Sequence, residues 1–136
     1  LKKENFNNIY NKLVKFIDKT DVLFDAINIK KSSLIYIFGA GLLGRVTCKK
    51  LQKNNVNINA FLDNNKYFHN QKCLDIKIIK PTDLNQFDKN KLKNLLIIIS
   101  EENIILVKKI LNQLRAYGVK RGNIKTINWK KILSWT

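Results

Sequence analysis

Cysteine is nearly absent: Cys48 and Cys73 are the only two in 136 residues. Two thiols make no disulfide framework, and nothing has zinc-finger spacing, which excludes a stapled secreted miniprotein and a small metal-folded domain. A reducing compartment suits such a chain, so a cytoplasmic location is expected. Long apolar runs are missing too. None approaches the roughly 20 residues needed to cross a bilayer, and no charged-then-apolar secretion signal opens the chain. Acidic side chains are few, ten Asp and Glu against 26 Lys and Arg, for a net charge of +16. Such an imbalance proposes a polyanionic partner such as nucleic acid or an anionic membrane. Arginine, however, supplies only three of those cations and lysine 23, while Asn and Ile occur nineteen times each. An AT-rich genome produces that bias through its codons, whereas phosphate and base readers lean on Arg forks. The charge therefore reads as a solvated face, densest over residues 108–136 with eight basic and no acidic side chains. A dedicated nucleic-acid function is not the expectation.

Against these shortages stands a hydrophobic content of 45%, enough for a buried core in a chain long enough for one domain. The opening Leu1 and the end just past Trp135 read as a piece of a longer protein, whose catalytic part could lie elsewhere. Residues 3 to 18 place Phe6, Ile9, Tyr10, Leu13, Val14 and Ile17 at helical spacing, an amphipathic stripe that must cover something. Thr20 and Asp21 offer cap chemistry before Val22, Leu23, Phe24 and Ile27, a second short helical piece. Lys30-Lys31-Ser32-Ser33 is linker-like. The boundary is therefore set there: residues 1–33 form a helical extension and residues 34–136 the main domain.

From Leu34 the pattern becomes short continuous apolar runs alternating with helix-length segments. Strands are predicted at Leu34–Phe38, Asn57–Leu62, Lys77–Ile79, Leu95–Ile99 and Ile124–Ile127. Helices are predicted at about Leu42–Asn54 and Ile104–Tyr117, the latter closed by Gly118 as a left-handed cap. A last short helix carries Trp129, Ile132, Leu133 and Trp135. Trp129 and Trp135 read either as ordinary core or as an anchor for the N-terminal helix or a second subunit. Strands buried on both faces and separated by helices imply an α/β fold with a doubly wound parallel sheet, in spatial order 3-2-1-4-5.

The segment Phe38-Gly39-Ala40-Gly41-Leu42-Leu43-Gly44-Arg45 carries the most chemistry. Its G-x-G-x-x-G follows a strand, opens a helix, and precedes Asp63 at the end of the next strand by nineteen residues. Gly39 permits the turn out of the strand, Gly41 lets backbone approach a pyrophosphate, and Gly44 allows close helix-to-strand packing. Free amides around Leu42 and Leu43 add partial positive charge. Asp63 is placed to accept from ribose hydroxyls and disfavours a 2′-phosphate, so NAD fits better than NADP, although Lys66 nearby weakens the argument. The alternative is that the glycines serve only chain reversal and packing.

With Phe61-Leu62-Asp63-Asn64-Asn65, Ile79-Lys80-Pro81-Thr82-Asp83-Leu84, Leu96-Ile97-Ile98-Ile99-Ser100 and Gly118-Val119, this string resembles the small Rossmann domains of surface-polysaccharide and nucleotide-sugar enzymes. Those are the N-terminal domain of the CapD-like dehydratases and epimerases and that of the PglD-like acyltransferases. The resemblance spans about residues 34 to 128. It implies a nucleotide site at Gly39, Ala40, Gly41, Leu42, Leu43, Gly44 and Asp63 with Asn64 and Ser100 beside it, holding NAD or a nucleotide sugar in polysaccharide biosynthesis. Such relatives carry glycines after the strand-two acid, whereas His69 to Ile78 has none. The same string is similar to the NADH-sensing domain of Rex-type redox repressors, but the thirty or so residues before Lys31 are too few for a winged-helix DNA reader.

The chain lacks the Tyr-x-x-x-Lys dyad of short-chain reductases: Val14, Ala40, Gln71 and Arg121 stand four residues after the tyrosines. His69 reads as an exposed loop residue and Cys48 as a small core residue. Glu101 and Glu102 begin the helix after the fourth strand, where acids favour the helix dipole, at the carboxyl edge of the sheet. The expected function is thus a nucleotide-binding module of a sugar-modifying enzyme, acting as a homodimer or beside a missing catalytic domain. The competing reading is a regulatory or assembly module that senses NAD(H) or another nucleotide without catalysis of its own.

Overall fold

A computed structural model describes residues 3–18 and 34–134. The elements run α1 (Lys3–Asp18), β1 (Leu34–Phe38), α2 (Leu42–Lys53), β2 (Ala60–Leu62), β3 (Lys72–Cys73), β4 (Ile76–Ile79), α3 (Lys89–Lys93), β5 (Leu95–Ile99), α4 (Ile104–Ala116), β6 (Ile124–Thr126) and α5 (Trp129–Leu133). The second helical piece expected around Val22–Ile27, the linker before Leu34, and Trp135 lie outside the described residues.

Period-two burial in the strands divides the core into two layers. Ile35 and Ile37 of β1, Phe61 of β2 and Leu96 and Ile98 of β5 face Leu13 and Ile17 of α1, Val46, Cys48 and Leu51 of α2, and Trp129 and Ile132 of α5. Tyr36, Phe38, Leu62, Leu95, Ile97 and Ile99 face the other way, onto Leu84, Leu92, Leu114 and the apolar stripe of α4. Ile37, Phe61, Ile97 and Ile98 are fully buried, each worth roughly 1.5–3 kcal/mol against exposure. Trp129, 1% exposed, shares the layer of Leu13 and Ile17, so α1 is held to the domain by the same core.

The sheet order is β3-β4-β2-β1-β5-β6, not the five-stranded 3-2-1-4-5 expected. The difference is β3, a two-residue edge strand that pairs antiparallel with β4; the other pairings are parallel. β3 and β4 are joined by Leu74 and Asp75, both in the left-handed region at φ 51° and 62°. A tight hairpin normally announces itself by Asn-Gly or Asp-Gly, and Leu-Asp gives no such signal. β2 is also shorter than expected. Its approach is taken over by Asn59, whose side-chain Oδ1 accepts the Ile35 N–H at 3.0 Å, so a side chain replaces the ladder bond there.

The α4 C-terminus matches the expected glycine cap. Gly118 has φ +95°, its N–H donates to Arg115 O, and the Val119 N–H donates to Leu114 O, the paired bonds of a Schellman motif. At the other end, Glu101 and Glu102 precede α4 instead of opening it. Asn103 is the N-cap, accepting from Ile105 and Leu106, and a carboxylate of Glu101 accepts the Asn103 N–H at 3.0 Å.

Candidate functional site at the β1–α2 turn

The strand order reverses between β1 and β5, because the chain leaves β1 toward β2 and later returns past it to β5. In open α/β sheets such a reversal leaves a crevice beyond the carboxyl ends of the strands. Here that crevice is a cleft of about 560 Å³ lined by Gly39, Gly41, Leu42, Leu43, Asp63, Phe68, Ser100, Glu101 and Glu102, with Ile9 and Leu13 of α1 and Leu133 of α5 over it. Its size falls in the range of small-molecule sites.

Each glycine has a separate reason. A Cβ on Gly44 would lie 1.8 Å from the Gly39 carbonyl oxygen, so α2 can sit this close to the turn only with hydrogen there. Gly39 has φ +115°, and a Cβ on it would meet the Ser100 carbonyl at 3.1 Å. Gly41 differs: a Cβ there would meet nothing within 4 Å, because it would point into the cleft. Gly41 is also the N-cap of α2 and makes no side-chain cap, and the first turn carries no acid. The leading amides of α2 therefore have no intrahelical acceptor and present their partial charge to the cleft.

Asp63 lines the same cleft beside the turn. Its Oδ2 accepts the Ala40 N–H at 2.9 Å and its Oδ1 accepts the Asn65 N–H at 2.8 Å. A carboxylate oxygen has two lone pairs, so acceptor capacity remains for a hydroxyl. The Asp63 backbone is fixed as well: its carbonyl oxygen lies 2.6 Å from His69 Nε2. His69 is thus half-buried and tied to the loop, not the exposed residue expected from its polar neighbours. Arg45 is held on other partners, with Nε donating to Ala40 O at 3.2 Å and its guanidinium 5.5 Å over the Phe6 ring.

The remaining residues of the expected set divide. Ala40 is buried and spends its N–H on Asp63. Ser100 lines the cleft, but its Oγ pairs with Thr47 Oγ1 at 3.2 Å. Asn64 is turned toward α4, exchanging amide bonds of 2.8 and 2.9 Å with Gln113, and does not line the cleft. Phe68, Ile9, Leu13 and Leu133 were not legible as site residues, since an apolar residue in a distant segment carries no mark of the cleft it will wall. Cys48 lies on the buried face of α2, where burial, helped by the nearby Cys73 thiol and opposed by Lys49, pushes its pKa up to about 12. It stays a neutral thiol at ordinary pH. Among the described residues, no group of His, Cys, Asp and Glu is arranged to hold a metal ion, and no helix is long and apolar enough to cross a membrane.

These features define a Rossmann-like domain: a parallel-dominated sheet, a glycine turn into a helix, and an acid at the end of the second strand. Residues 31–124 match the family model described as C2185-like, N-terminal, and the chain belongs to that family. No curated protein matches. Among solved structures, the chain is similar to one described as the crystal structure of RSP, a Rex-family repressor, at 16% identity and a TM-score of 0.58. The match covers 93% of this chain and 63% of that one, so this chain spans less than two thirds of the repressor's length.

Proposed function

We propose that this domain binds a dinucleotide of the NAD type and serves as a regulatory module whose occupancy is passed on through α1. The observation that carries the reading is the contrast between glycines: Gly39 and Gly44 are packed against backbone, whereas Gly41 leaves open space over the bare amides of α2. Packing alone asks nothing of Gly41. A pyrophosphate lying on those amides does, and Asp63 then stands where its carboxylate can accept from the hydroxyls of the adenosine ribose. The site residues of this reading are Gly39, Gly41, Leu42, Leu43, Asp63 and, along the wall, Phe68; Ala40 and Gly44 shape the turn, and Asn64 is left out.

The cleft's charge separates the two ligands expected from sequence. Among the described residues lining it there is no Lys or Arg, but there are Asp63, Glu101 and Glu102. A nucleotide sugar, with two negative charges and no cationic ring, is the poorer match to that wall, and a role in polysaccharide assembly rests on resemblance alone. The regulatory reading is favoured by Ile9 and Leu13 of α1, which line the cleft, and by the likeness to a repressor. Calorimetry of the 136-residue chain with NAD+, NADP+ and a UDP-sugar tests the ligand. Saturable binding of NAD+ above the others is the expected result; silence with all three at millimolar concentration defeats the proposal. Hydrogen exchange on α1 tests the coupling, with slower exchange expected once ligand is bound.

A further inference from the structure

Among the described residues five large hydrophobic side chains stay exposed, and three of them are consecutive: Ile104, Ile105 and Leu106, at 60, 67 and 43%. They open α4. The core does not use them, because the side of α4 packed on the sheet is made by Val107, Ile110, Leu111 and Leu114. With about 100° of rotation per residue, Ile105 points most directly away from that side, and Ile104 and Leu106 flank it. Charges of opposite sign bracket this apolar turn. Glu101 and Glu102 precede it and Lys108 and Lys109 follow it. Counted from Ile105, Glu102 and Lys108 each stand three residues away, and Glu101 and Lys109 four. Glu102 and Lys108 are both exposed and both line a second cleft of about 650 Å³ that runs from α4 toward β6 and α5, so they share one side of the helix.

From this self-complementarity we infer that the start of α4 is a contact surface for a second copy of this chain. Two α4 helices packed antiparallel about a two-fold axis at Ile105 set that side chain against its own symmetry mate, with Ile104 and Leu106 around it. Such an axis reverses direction along the helix and keeps its sides. Lys108 of each copy therefore meets Glu102 of the other, and the apolar turn loses its exposure to water without any like-charge contact. A partner of different sequence would ask for no such match between the two ends of one short segment. Three apolar side chains and solvated ion pairs make a small interface, so the dimer is weak and sensitive to salt. The inference is independent of the dinucleotide reading, because Ile105, Leu106 and Lys108 do not line the glycine cleft.

Analytical ultracentrifugation of the 136-residue chain in low salt tests this. A monomer–dimer equilibrium with Kd on the order of tens of micromolar is expected, weakening as salt is added. Ile105→Glu and Ile105→Lys should each be monomeric, since the axis brings like charges face to face, and a one-to-one mixture of the two should dimerise again. Near-UV circular dichroism matching the wild type shows that both variants keep the fold, as the exposure of Ile105 leads one to expect. Glu102→Lys and Lys108→Glu should each weaken the dimer several-fold, and the double exchange should restore it. A wild-type chain that stays monomeric at about 1 mM, a dimer that Ile105→Glu leaves intact, or no recovery in the mixture overturns the inference.

Discussion

Asp63 and Ala40 are joined by a 2.9 Å hydrogen bond from the Ala40 N–H to Asp63 Oδ2, which ties the glycine turn after β1 to the end of β2. The same carboxylate holds the Asn65 amide through its other oxygen, so one side chain fixes both the glycine turn and the loop after β2 before any ligand arrives. Asp63→Asn leaves one acceptor for two amides and turns an NH2 toward the other. A loss of about 1–3 kcal/mol in unfolding free energy is expected by urea denaturation, together with weaker ADP-ribose binding.

Two glycines three residues apart should respond in opposite ways. Gly44→Ala forces a methyl to 1.8 Å from the Gly39 carbonyl oxygen, a backbone clash expected to cost about 3 kcal/mol or more and to lower Tm by roughly 10 °C. Gly41→Ala meets nothing, and its φ of −84° suits any residue, so its Tm should move by no more than about 2 °C. Its affinity for ADP-ribose should nevertheless fall by about tenfold or more, which is about 1.4 kcal/mol. Melting curves and titrations of the two variants separate packing from binding.

The β3–β4 hairpin carries backbone strain that substitution can relieve. Asp75 has φ 62°, a conformation glycine adopts without penalty. Asp75→Gly should therefore stabilise the domain by about 0.5–1 kcal/mol in chemical denaturation, whereas Asp75→Val should destabilise it.

Alkaline pH should weaken the fold. The Cys48 thiol is raised from 9.0 to about 12, so between those values the unfolded chain releases a proton that the folded chain keeps. Its contribution is whole below about pH 9 and lost as pH rises toward about 12. Burial raises Cys73 and Tyr36 in the same direction, and it is the main cause of the rise at Tyr10. Denaturation midpoints measured at about pH 8 and about pH 10.5 should fall, and Cys48→Ala should flatten only its own share of that slope.

Much of this architecture was legible because its residues answer to local rules. Leu95–Ile99 could hardly be anything but a doubly buried strand, Gly118 sits where a left-handed cap requires it, and the spacing from Gly39 to Asp63 located both sides of the cleft. What escaped depended on partners distant in sequence or on strain. The Leu74-Asp75 turn pays no heed to turn propensity, Asn59 replaces a ladder bond with its side chain, and Asn64 finds Gln113 across 49 residues. Nor could periodicity show that Ile9, Leu13 and Leu133 would wall the cleft, because an amphipathic stripe says that a face is covered without saying what it borders.

In the proposed complex, phosphate oxygens rest on the amides that open α2. Backbone amide resonances of the 15N-labelled chain, followed during titration with ADP-ribose, test it most directly. Saturable shifts should appear, largest at Gly41, Leu42 and Leu43, with smaller ones at Ala40 and Asn65 as the Asp63 carboxylate takes on the ribose. Shifts confined to other surfaces, or a spectrum unchanged at millimolar ligand, would contradict it.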